Sequence, residues 1–82
     1  MEVDMRTQIG YLIVESTDGI TWSPIFSANT YELCKEWMED EKMFATANLW
    51  DVIKHTDTTL ILENYGGTKR YHYAIWDIDR LY

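Results

Sequence analysis

Apolar positions along this chain follow two different spacings, and the change from one to the other marks its elements. Gln8 to Glu15 reads Gln-Ile-Gly-Tyr-Leu-Ile-Val-Glu, a β-prone run with few polar members and the makings of a strand. Thr17-Asp18-Gly19-Ile20 comes next. Asp-Gly takes the positive φ values of a two-residue hairpin turn without strain, so Ile20 to Ser23 is expected to return as a second strand. Pro24 has no N–H to give to a ladder, which puts this strand at a sheet edge or ends it there.

Beyond Pro24 the period lengthens. Leu33, Cys34, Trp37 and Met38 fall on one face at helical spacing, and Phe44 and Ala45 extend it. Glu32, Lys35, Glu36, Glu39 and Asp40 point elsewhere. The pattern predicts an amphipathic helix with an acidic outer side. Asn29 with Glu32 makes a capping box for its start, and Ser27 is a rival start.

Asn48 to His55 fits a strand or a short helix. The turn-like Thr56-Asp57-Thr58-Thr59, leading into Leu60-Ile61-Leu62-Glu63, favours the strand. Tyr65-Gly66-Gly67-Thr68 reads as a second turn. Arg70 to Asp79 is then a last strand, with Tyr71, Tyr73 and Ile75 on one face and Ala74, Trp76 and Ile78 on the other. Apolar groups on both faces mark a central strand. The expected order is β-β-α-β-β-β. Parallel neighbours need long crossovers, and one connection alone is long enough. The reading is therefore an α+β fold: a mostly antiparallel sheet of four to five strands, with one amphipathic helix packed on one face.

Size and charge sharpen this picture. The 82 residues make one compact domain, 1–82, and a chain of this length buries about 60–65% of its unfolded surface. Four tryptophans, six tyrosines and two phenylalanines thicken a thin core, each burying roughly 150–250 Å². The formal net charge is -7 and the sequence pI about 4.5. Acidic chains poor in aromatics stay disordered; one that is 15% aromatic is expected to fold with a negative skin. Direct phosphate-backbone binding requires clustered Lys and Arg, so nucleic acid is not the expected partner. The lone Cys34 forms no intramolecular disulfide and suits a reducing compartment. Met1 to Arg6 lacks the basic-then-apolar layout of a signal peptide, and no apolar run nears the ~18 residues that span a bilayer. A cytoplasmic protein without membrane contact is expected.

Few groups offer chemistry. His55 and His72 are the two histidines. A metal site needs further ligands at suitable spacing, so they read as solvated or capping residues beside a charged strand end at Asp77 and Asp79. Cys34 would need an adjacent histidine to become a nucleophile; on an apolar helix face it reads as a small core residue. Gly66-Gly67-Thr68-Lys69 lacks the strand-then-helix setting of a phosphate loop and reads as a hairpin turn. Arg70-Tyr71-His72-Tyr73 has the composition of a base-stacking platform, although the tyrosines read first as core and cross-strand pairs. No catalytic residue, cofactor or metal is expected.

The acidic helix remains. Glu32, Glu36, Glu39, Asp40 and Glu41 load it, with Lys35 and Lys42 in answer. Glu36 and Asp40 repel at i,i+4, and Lys35 with Glu39 offsets this. Glu2, Asp4, Glu15 and Asp18 add charge near the first hairpin. Such charge can serve solubility alone; concentrated on one face, it also steers encounter with a basic partner. In size, acidity and want of catalytic groups the chain resembles the accessory proteins that phages and mobile elements direct against host defence, such as anti-restriction and anti-CRISPR proteins. That resemblance is one of type and transfers no residue roles.

The leading expectation is a non-enzymatic inhibitor or regulator that occludes a basic site on a host nucleic-acid-handling protein, in the manner of a DNA mimic. Glu32, Glu36, Glu39, Asp40 and Glu41 would form its partner-binding surface; the hairpin tips around Asp18 or Gly66 are the rival surface. A second expectation is an assembly module that forms homodimers or larger homo-oligomers through edge strands. A third is a small nucleotide or single-stranded RNA binding domain using Tyr71, His72, Tyr73 or Trp76.

Overall fold

The computed structural model describes residues 10–78. Five strands, β1 (Tyr11–Ser16), β2 (Ser23–Ala28), β3 (Asp51–His55), β4 (Thr59–Glu63) and β5 (Arg70–Asp77), surround one helix in sequence, α1 (Tyr31–Ala47). All pairings are antiparallel, in the order β2-β1-β5-β4-β3. This is the expected α+β fold, with β5 at the centre. Of Asn48 to His55, Asp51–His55 forms the strand β3 while Asn48 caps the helix, and Asn64 to Lys69 is the turn between β4 and β5.

Register decides which side chains meet the helix. Ile13 lies opposite Ile75, Leu60 opposite Tyr73, and Leu62 opposite Tyr71. Directly opposed residues share a face. These six, with Cys34, Met38 and Ala45 from α1, form the core and its margin. The rings of Phe26, Trp37, Tyr73, Tyr71 and Trp50 run in a chain across this layer, with centroids 5.5–6.4 Å apart.

Three local expectations shift. Strand β2 begins at Ser23, later than Ile20, because Ser16 and Asp18 organise a wider loop. The Ser16 hydroxyl accepts from the Gly19 N–H at 2.8 Å, and the Asp18 carboxylate accepts from the N–H groups of Ile20 and Thr21, each at 2.8 Å. Those bonds tie up the amides a two-residue hairpin would place in the ladder. Pro24 does sit in an edge strand.

The helix is capped by Thr30, rather than Asn29 or Ser27. Its hydroxyl accepts from the Leu33 N–H at 3.3 Å. The N3 position thus holds Leu33, so Glu32 closes no capping box. The buried stripe is Cys34, Met38 and Ala45, whereas Leu33 and Phe44 are 48% and 68% exposed. The helix rolls so that its three-residue and four-residue steps from Cys34 meet the sheet, which turns Leu33 and Phe44 out to the flank. Gln8, Ile9, Asp79 and the acidic Glu2 and Asp4 fall outside the described residues.

Candidate functional site

The five carboxylates expected to act together divide into three environments. Glu32, Glu36 and Asp40 are exposed. Spaced four apart, they stand one above another on the outer side of α1, rising ~6 Å per step. None of them has a hydrogen bond or ion pair among the described residues. Exposed Met43 and Leu33 border this row on the same outward surface.

Glu39 is engaged within the fold. Lys42 Nζ lies 3.1 Å from its carboxylate and 3.4 Å from His55 Nδ1, while His55 Nε2 lies 3.7 Å from Glu39 Oε1. The Lys42 ammonium holds the Glu39 carboxyl below its ordinary value, against a smaller opposing effect of desolvation. This triangle fastens the outer flank of α1 to β3. Lys35, expected to answer Glu39, instead reaches Asp57 at 3.8 Å. Tyr31 donates its hydroxyl to the Asp57 carbonyl nearby. These contacts close the β3–β4 turn against the start of the helix.

Glu41 points the other way. It follows Glu32 by nine residues, about two and a half turns, and so emerges on the opposite side. Burial raises its pKa, and the charge of Glu15 raises it further. Glu15 stands opposite Tyr73 in the ladder. Burial, then the charges of Glu15 and Glu41, push the Tyr73 phenol upward. The electrostatic coupling of Glu15, Glu41 and Tyr73 escaped the sequence reading. One signal was present: alternation from Ile13 places Glu15 on the core face.

The face of the sheet away from α1 carries Leu12, Val14, Ser16, His72, Ala74 and Trp76. Trp22 leans over it, with its ring 6.3 Å from His72 and 6.0 Å from Trp76. Tyr71 and Tyr73 lie on the helix side, and Tyr73 is buried. The four residues considered for a nucleotide or RNA site therefore divide between opposite faces, and form no single stacking platform.

Cys34 is fully buried, and burial raises its pKa. Neither histidine contacts it: His55 faces Lys42 and Glu39, and His72 faces Trp22. Among the described residues no group of three His, Cys, Asp or Glu is placed to hold a metal ion, and no helix is long and apolar enough to cross a membrane. No protein-family model, curated protein or solved structure matches the chain.

Proposed function

We propose that this chain is a non-enzymatic, acidic protein-binding inhibitor or regulator acting in the cytoplasm on a basic site of a nucleic-acid-handling protein. The observation that carries this reading is the exposed row Glu32, Glu36 and Asp40, three carboxylates in register with no cation answering them among the described residues. A regular line of uncompensated negative charge matches the electrostatic demand of a groove built for phosphates. Leu33 and Met43 beside it supply apolar contact of the kind found in the desolvated centre of an interface. Mimicry of nucleic acid and occlusion of the groove form the mechanism. Anti-restriction and anti-CRISPR proteins are the analogy of type.

Glu39 and Glu41 stand apart from this outer row, since one is held by Lys42 and His55 and the other lies on the opposite side of α1. Assembly through edge strands is the weaker reading. Strand β2 carries Pro24, β3 carries Lys54, and the outer pairings are each interrupted by a bulge; all three devices oppose edge-to-edge pairing.

The test is capture from a bacterial lysate by the tagged chain and by a triple variant, Glu32→Lys, Glu36→Lys and Asp40→Lys. The native chain should enrich a basic nucleic-acid-binding protein that high salt or added duplex DNA releases, and the folded triple variant should not. Equal capture by both chains, or capture indifferent to salt and DNA, defeats the proposal.

A further inference from the structure

We propose that the cavity between the C-terminal half of α1 and the sheet is a binding site for an organic cation, an alkylammonium or guanidinium group on a slim apolar stem. Its source in the complex would be a lysine or arginine side chain of the partner. That last step rests on the function proposed above; the chemistry of the cavity does not.

The cavity measures about 130 Å³, and its walls include Glu41, Phe44, Trp50, Leu62, Tyr71 and Tyr73. An apolar cavity of ~150 Å³ accepts benzene, so this one suits a group of about five or six heavy atoms. Four of its eight lining residues are aromatic. The Trp50 and Tyr71 rings stack at 5.5 Å with 27° between their planes, and Tyr71 and Tyr73 stack at 6.4 Å with 28°. Aromatic faces carry negative electrostatic potential and attract cations, most strongly where water is excluded. Phe44, 68% exposed, and the exposed Asn48 place the mouth of the cavity at the outer end of the helix.

Charge points the same way. Glu41 borders the cavity, Glu15 acts on it electrostatically, and neither is ion-paired to a described Lys, Arg or His. Arg70 is turned to Glu63 at 2.6 Å, and Lys42 to Glu39 and His55. Glu41 is thus a partly desolvated carboxylate in the wall of the cavity, in the field of a second carboxylate, Glu15, and with no ion-pair partner among the described residues. A buried charge requires a partner or loses its ionisation. An ammonium or guanidinium head supplies that charge, while its methylene stem occupies the aromatic walls. A bare metal ion would satisfy the carboxylates and leave those walls unused.

The experiment titrates the whole chain, at constant ionic strength, with n-butylammonium, n-butylguanidinium and tetramethylammonium chlorides. Tert-butanol and n-butanol serve as uncharged controls. Amide and indole resonances report binding. The cations should bind saturably at millimolar level, shift Trp50, Phe44 and Ala45 most, and exceed the alcohols by about fivefold or more. Glu41→Gln should weaken cation binding about fivefold or more and leave the alcohols unchanged. Phe44→Ala changes an exposed side chain and spares the fold, so it stands as a second variant, expected to weaken binding about two- to fivefold. Preference for the butyl cations identifies a side chain as the source, and preference for tetramethylammonium identifies a free quaternary amine. Alcohols that bind as well as the cations, absence of saturation, or a folded Glu41→Gln chain with unchanged affinity overturns the site. The lysine triple variant at Glu32, Glu36 and Asp40 should bind butylammonium normally, so the cavity and the outer row fail independently.

Discussion

Met38 and Met43 offer a controlled comparison within one helix. Both are methionines in the interior of α1, but Met38 is 1% exposed and Met43 is 65% exposed. Replacement by alanine removes the same atoms from each and makes the same small change in helix propensity. At Met38 it also leaves a hole among Cys34, Leu60 and Tyr73, members with it of the buried cluster. Met→Ala at a buried position costs about 2–5 kcal/mol, because lost transfer energy and the residual cavity add. A chain of 82 residues at ~0.05–0.15 kcal/mol per residue has a total stability of roughly 4–12 kcal/mol. Met38→Ala therefore removes a large share of it. Each kcal/mol lowers Tm by about 4–8 °C in a domain this small, so a fall of ~8 °C or more is expected. Met43→Ala should stay within about 0.5 kcal/mol of the native chain. Urea unfolding followed by tryptophan fluorescence gives both values from one assay, with equal m-values expected. Equal losses at the two positions, or a loss below about 1 kcal/mol at Met38, would refute the assignment of the helix face.

Other outcomes follow from single groups. Asp18 is held down to about 2 by the N–H groups of Thr21 and Ile20 and the hydroxyl of Ser16; a depressed carboxylate stabilises the fold above its unfolded pKa and ceases to as pH falls through the folded one, so the Ile20 and Thr21 amide resonances should titrate near 2, and a midpoint near 4 would contradict the loop geometry. Cys34 is raised by burial, so its contribution is present below the unfolded thiol pKa and declines as pH rises past it; alkylation of the native chain should be far slower than of the urea-unfolded chain, and equal rates would place the thiol outside the core. Leu49 has φ 66 directly after the C-cap, where glycine is favoured; Leu49→Gly should add about 0.5–1 kcal/mol in urea unfolding, as relief of a left-handed conformation (~1–2 kcal/mol) exceeds the added chain entropy, and a net loss would show that the leucine side chain contributes packing. Glu41 is raised by burial and by Glu15, so Glu41→Gln should stabilise the chain at neutral pH by an amount that shrinks toward pH 4, and a pH-independent difference would remove ionisation as its cause.

Much of this fold could be read from side-chain period alone. The alternation through Tyr71, Tyr73 and Ile75 placed a strand with two apolar faces, and that strand is the centre of the sheet. Helical spacing located Cys34 and Met38. What escaped depended on competition between near-equal local choices. Asn29, Thr30 and Ser27 are all competent N-caps; β2 takes up Ser27, and the Thr30 hydroxyl is the one that accepts from the Leu33 N–H. Asp18-Gly19 is a strong hairpin signal, but Ser16, buried at 2%, reaches the loop and recruits its amides. The division of the acidic residues was legible only in part. Position along a helix shows that Glu41 opposes Glu32; that Glu41 feels the charge of Glu15 depends on α1 packing over β1, a long-range contact absent from local pattern.

That division changes what the negative charge of this helix means. Charge kept for solubility alone has no reason to sit where it is desolvated, and the outer row of Glu32, Glu36 and Asp40 would meet that need. Glu41 lines an aromatic cavity, where burial and the charge of Glu15 both disfavour its ionised form. Local choices that conflict with stability gather where a sequence serves something besides folding. Glutamine would fit the same space without the repulsion, so the carboxylate is unfavourable for the isolated chain and becomes favourable when a cation arrives. The outer row acts at a distance, and its attraction is weakened by salt within about a Debye length. A cation inside the cavity is shielded from that screening. On this view the row governs how fast a basic partner is met, and the cavity governs how long it stays. Lysine substitutions in the row should therefore slow association, and Glu41→Gln should speed dissociation.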